Sequence, residues 1–177
     1  GMISSVDRSM PDKLVSNRKI KGLMSGDELV GIDYRPKDGK LYAVGLQGNL
    51  YTLNPNNGEA SFLRKLIADP SDTTDGNASF TQIMGDANLI TVNFNPAADR
   101  LRVISNTGQN LRINVDTGAT ITDGTINLAT GSAAVVAGAY TNAFAGTGST
   151  KLYSIDQNSD RIYLQNANAG TLGNSAS

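Results

Sequence analysis

The hairpin-like stretch "DRLRVISNTGQNLRI", residues 99–113, concentrates the side chains best suited to gripping a ligand. Arg100 and Arg102 share a face of one strand, and Arg112 falls on its partner. Three guanidiniums at that spacing can clamp a carboxylate or phosphate through paired N–H donors. They can equally pair with Asp99, Asp116 or Asp123. Gln109 and Asn110, near the turn, add amide donors and acceptors that suit a sugar as well as a tight loop. Two further stretches carry oxygen ligands. "DQNSD" sets Asp156, Asn158 and Asp160 at the alternate positions that open a calcium loop, but Arg161 stands where the glycine should be, and no glutamate follows at the twelfth position. "ADPSDTTDG" supplies Asp69, Asp72 and Asp75, which read first as a solvated connection.

Absences narrow the chemistry further. The chain has no histidine and no cysteine, so imidazole general bases, Ser-His-Asp and Cys-His nucleophiles, disulfides and the usual zinc or copper ligand sets are excluded. No cofactor is expected, and calcium, held by oxygens, is the cation with any claim. Fifteen basic against sixteen acidic residues leave a net charge of -1, too little field to recruit nucleic acid or an anionic membrane. "ISSVDRSMPDKL" has no apolar core of the kind a signal peptide needs, and "AAVVAGA" (133–139) is too short to span a bilayer.

The elements that position these residues come in repeats. Residues 29–58 set against 89–118 without a gap match at Leu29/Leu89, Pro36/Pro96, Leu41/Leu101, Gly48/Gly108, Asn54/Asn114 and Gly58/Gly118, with Tyr34/Phe94 and Lys40/Arg100 among the conservative exchanges. A fainter third copy runs through "GAYTN", "KLYSI" and "RIYLQNANAG". Within each copy, short runs of alternating apolar residues are broken by "RPKDG", "LQG" and "NPNNG", a strand-turn-strand rhythm. The reading is all-β and β-propeller-like: one domain, 1–177, with about three four-stranded antiparallel blades (approximately 29–67, 89–126 and 135–173) and a partial N-terminal blade.

In such a fold the first strand of each blade lines a central channel. The face opposite Ile32/Tyr34 and Val92/Phe94 carries Asp33, Arg35, Asn93 and Asn95. A ligand would meet these groups there, unless they bond neighbouring strands. Three blades do not close a ring, since closure takes about four to eight. Exposed flanks should therefore drive homo-oligomer formation or hold another protein, or the chain comes from a longer parent.

"LVGIDYRPKDGKLYAVG", "VNFNPAADRLRVISNTGQNLRINVDTG" and "AYTNAFAGTGSTKLYSID" resemble the bacterial family known as domain of unknown function 4394. The resemblance implies a propeller-like repeat protein, often exported to an extracytoplasmic address, with no assigned activity and no catalytic residues to carry over. Two functions are expected. The first is a non-enzymatic binding or scaffolding module for a polar ligand, polysaccharide or protein partner, using Asp33, Arg35, Asn93, Asn95, Arg102, Gln109, Asn110 and Arg112. The rival is a calcium-dependent hydrolase of the lactonase-propeller kind, with Asp33, Asn93 and a bound cation activating water. Ala139, in the same place of the third repeat, counts against the rival.

Overall fold

A computed structural model of the chain describes residues 1–72 and 78–176. A hairpin of β1 (Met2–Asp7) and β2 (Met10–Lys19) leads. The first blade follows as β3 (Leu29–Tyr34), β4 (Leu41–Gly45), β5 (Asn49–Asn54) and β6 (Glu59–Lys65), each antiparallel to the next. The second comprises the short β7 (Ile67–Ala68), then β8 (Ile90–Asn95), β9 (Arg100–Ser105), β10 (Asn110–Ile113) and β11 (Ala119–Thr122). The third is β12 (Val135–Tyr140), β13 (Leu152–Asp156), β14 (Arg161–Gln165) and β15 (Leu172–Ala176). The sheets are all-β and propeller-like without closing a ring. Among the described residues, no helix is long and apolar enough to cross a membrane.

The period-two pattern decides how the blades stack. In β4, Leu41 and Ala43 point away from the second blade, where they pack with Leu53 and with Ile3 and Ile20 of the leading hairpin. Tyr42 and Val44 point the other way and join Val92, Phe94, Leu101 and Val103 in one core between the first two blades. Tyr42 and Phe94 meet edge to face with ring centroids 5.3 Å apart, worth about 1 kcal/mol beyond the area they bury. The next seam repeats the arrangement: Ile104 faces Val135, Leu152 and Tyr163. A blade held between two others is covered on both faces, so every residue of β4 is buried and its sequence shows no polar alternation.

The segment leading into each blade runs parallel to that blade's outer strand. The pairs are Lys21 with Glu59, Ile67 with Ala119, and Asn127 with Thr171. Beside each pair sits the glycine that closes the preceding turn, Gly58, Gly118 or Gly170, all at positive φ (73°, 82° and 73°). A Cβ at Gly118 would stand 2.7 Å from the Lys65 carbonyl oxygen, and one at Gly58 would collide with that of Lys19. These glycines therefore serve both the left-handed turn and the close passage of the incoming chain. Lys19 ends β2 as Lys65 ends β6. The β1–β2 hairpin thus holds the outer two places of a partial blade ahead of the first.

Candidate functional site

The inner strands β3, β8 and β12 lie side by side, and their polar side chains bridge from one to the next. Asp33 accepts hydrogen bonds from the backbone N–H of Phe94 (2.7 Å) in the second blade and from Tyr34 (2.8 Å). Asn93 donates to the Gly138 carbonyl (2.6 Å) of the third blade. Burial pushes the Asp33 carboxyl above its ordinary pKa, and the two N–H donors oppose that shift. Both residues stitch strands that have no ladder between them, and Ala139, the third member, carries no group to do so.

Arg35 is buried with a side-chain exposure of 5%. Its Nε and one terminal nitrogen reach Asp99 at 2.7 and 2.6 Å, and its terminal nitrogens reach Asp116 at 2.8 Å each. A further contact joins it to the Tyr42 hydroxyl at 3.3 Å. The first blade's arginine is thus held by two carboxylates of the second. The hydrogen bonds from Arg35 depress the Asp99 pKa to about 2.

At the next seam the charges sit differently. Arg102, buried, donates to Asp123 (2.6 Å) and Asn110 (2.8 Å) in its own blade, and to Asn168 (2.9 Å) and the Tyr140 hydroxyl (3.3 Å) in the third. Arg112 shares Asp123 through bonds of 3.0 and 2.9 Å. Cross-strand pairing of Arg112 with Arg102 puts both on the face turned to the third blade. Arg100 bonds the carbonyl oxygens of Ala98 (3.4 Å) and Asp99 (2.9 Å). The three arginines, with Asn95, Tyr140 and Asn168, line a cleft of about 220 Å³. A second cleft of about 620 Å³ adjoins it at Asn95 and Tyr140, and extends along Lys151, Gln165 and Asn166. The Gln165 side chain is buried, and its Nε2 has no hydrogen-bond partner among the described residues, a costly condition for an amide.

Of the side chains singled out in the sequence, the structure brings Asn95, Arg102 and Arg112 to this cleft, together with Arg100. Asn110 lies beneath it, fully buried, donating to the carbonyls of Gly124 and Ala167 at 2.9 Å each. Gln109 is elsewhere, bridging Met84 N–H and the Gln82 carbonyl at 2.9 Å each. Asp33, Arg35 and Asn93 belong to the seams. Asp156 is buried, with one oxygen accepting from Ala134 and the other from Ser159. Asn158 donates to the Ser132 carbonyl at 3.0 Å. Among the described residues, no group of three or more Asp or Glu gathers to hold a metal ion. Asp69 binds Ser71 and Asp72 binds Thr122 N–H, while Asp75 lies outside the described residues.

Tyr140, Asn168 and Gln165 are among the cleft residues that the sequence pattern does not single out. A signal for Asn168 existed. Counting two residues back from Gly118 and from Gly170 places Asn168 level with Asp116, the Arg35 partner.

One family model, described as a domain of unknown function (DUF4394), matches residues 2–177. A comparison with curated proteins finds no match.

Proposed function

The chain belongs to the family of domain of unknown function 4394, and we propose that within it the protein is a non-enzymatic binding module that takes a polar ligand in the joined clefts between the second and third blades. One observation carries this reading: three guanidiniums, two amides and a tyrosine hydroxyl line one small cleft that opens into a larger one. The small cleft is lined by donors, and the larger one adds Leu152, Leu164 and Ala167 to its polar groups, so the pair suits a polar ligand with some apolar surface. The Asp33 and Asn93 pair required by a lactonase-like mechanism is engaged with backbone groups instead, which favours binding over hydrolysis.

The reading is tested by ligand-observed NMR with a panel of neutral and acidic oligosaccharides and small organic acids. Binding that disappears when Tyr140 is changed to Ala, with no turnover of an ester or lactone, supports it. A panel without a single binder, or hydrolysis that depends on calcium, overturns it.

The flanks support a protein partner as well. Ile32 and Tyr34 are 43% and 53% exposed on the first blade, and Ile155 and Ile162 are 42% and 45% exposed on the third. Tyr34 is the counterpart of Phe94, which is buried against the preceding blade. We propose that these flanks pair copies of the chain. Native mass spectrometry at micromolar concentration should show a dimer or larger ring that Tyr34→Lys dissociates, whereas a monomer throughout would rule it out.

A further inference from the structure

The two seams of this molecule are built on one plan, which allows each position in one to be compared with its counterpart in the other. The shared turn glycine sets Asp116 level with Asn168, and the start of the second strand (Lys40, Arg100, Lys151) sets Asp99 level with Thr150. At the first seam, Asp99 and Asp116 reach back across to Arg35 through four bonds of 2.6 to 2.8 Å. At the second seam both of those carboxylates are absent: Thr150 and Asn168 stand in their places. The counterpart of Arg35 there is Asn95, and the positive charge comes instead from Arg100, Arg102 and Arg112 around the cleft.

Charge is therefore unequally met. Asp123 lies between Arg102 and Arg112 and serves both. Arg100 has bonds to carbonyl oxygens and no ion pair within 4 Å among the described residues. Asp69 and Asp72 act on Arg112 through space only.

The amides add direction. Asn95 uses its carbonyl oxygen on the N–H groups of Ala97 (3.0 Å) and Ala98 (2.9 Å). Asn168 uses its own on Arg102 (2.9 Å). Asn95 then offers its NH₂ to a ligand, and Asn168 its NH₂ beside one remaining acceptor site. Donors predominate around the opening, and the guanidiniums prefer a planar oxyanion.

We infer that the cleft between the second and third blades binds a ligand carboxylate, in the place that Asp99 and Asp116 fill at the first seam. The rest of the ligand lies in the adjoining cleft past Tyr140, Lys151 and Gln165. A uronate-bearing saccharide has both the carboxylate and the hydroxyls for this path. The inference rests on the binding-module reading and names the ligand class within it.

The experiment is isothermal titration of the full chain with tetragalacturonate, with its methyl ester and with inorganic phosphate, at low and at 0.15 M salt. The expected result is binding of the acid at least tenfold tighter than the ester, weakened by salt and by Arg100→Gln. Asn168→Asp supplies the missing carboxylate from the protein itself. It should abolish acid binding while raising the melting temperature, and the rise shows that the variant is folded. Equal binding of acid and ester overturns the carboxylate assignment and leaves the binding module standing. Phosphate bound more tightly than the acid, or acid binding unaffected by Asn168→Asp, also overturns the assignment. Binding of none of the three overturns it too, while any binder in the wider panel keeps the module reading alive.

Discussion

Arg35 and Asp99, 64 positions apart in the chain, close the first seam through two hydrogen bonds of 2.7 and 2.6 Å. The pair makes stability depend on pH with a definite sign. Arg35 holds the Asp99 carboxyl at about 2, well below its ordinary value of 3.8. A carboxyl whose pKa is depressed on folding stabilises the fold above its unfolded pKa, and that contribution is lost as pH falls through the folded value. The shift corresponds to about 2 kcal/mol, lost between about pH 4 and pH 2. Urea unfolding at a series of pH values should show this fall in the native protein and a smaller one in Asp99→Asn. Asp116, also depressed by Arg35, supplies the remainder. An identical fall in both proteins would assign the acid sensitivity elsewhere.

Gly118→Ala tests whether the turn glycines serve the incoming chain. The residue has φ of 82°, and its new Cβ would stand 2.7 Å from Lys65 O. The left-handed backbone alone costs about 1–2 kcal/mol, and displacement of the Lys65–Ile67 segment should bring the total to about 3 kcal/mol. Gly39→Ala makes the control, because φ there is 67° but nothing lies within 4 Å. Its loss should stay near the backbone cost. Equal losses in the two variants would show that the close approach contributes nothing.

Much of this fold is legible in the sequence because repetition gives independent copies of the same signal. The strands of the first blade fall at Leu29–Tyr34, Leu41–Gly45, Asn49–Asn54 and Glu59–Lys65, between the turn residues that bound them in the sequence. Contact between segments is harder to read. Gly58 and Gly118 announce a turn, but the carbonyls of Lys19 and Lys65 that press against them lie about forty to fifty residues earlier in the chain. Alternation likewise shows that Asp33 and Arg35 share a face without showing what meets it. Blade geometry offers either a channel or a neighbouring strand to that face, and their partners, at Phe94, Asp99 and Asp116, are on the next blade. The arginine cluster is visible as composition, whereas its lining by Tyr140 and Asn168 depends on how the third blade docks.

Arg102 and Arg100 are two residues apart on one strand and should differ sharply when truncated. Arg102 is 3% exposed and its loss takes charge-assisted bonds from Asp123, Asn110 and Asn168. Arg102→Met is expected to cost about 3 kcal/mol, the range for breaking a buried pair. Arg100→Met, which gives up only bonds to carbonyl oxygens, should stay within about 0.5 kcal/mol. Chemical denaturation of the two variants side by side decides the matter, and similar losses would mean that the cleft arginines are all structural.

The kinship of the seams also predicts chemical rescue. Replacing Asp99 and Asp116 together by Asn leaves Arg35 in its 5% exposed setting without its two cross-blade carboxylates, at a cost of about 3 kcal/mol. Such a site approaches the second seam, with amides in the cross-blade places, while Asp38 stays 3.4 Å from Arg35 as Asp123 stays on Arg102. Acetate should then re-enter it. A ligand that binds only the folded protein stabilises by RT ln(1 + [L]/Kd), which reaches about 0.4 kcal/mol once the free ligand equals Kd. The double variant should melt a degree or more higher in 0.2 M acetate than in 0.2 M chloride at the same pH. Asp116 is 56% exposed, so its place is open to solvent and a small anion can reach it. The single variant Asp116→Asn, with Asp99 still on Arg35, should show less difference between the two salts. Equal melting of the double variant in acetate and chloride would mean that the carboxylate place at a seam needs the chain's own tether, and would weaken the case for a free carboxylate at the second seam as well.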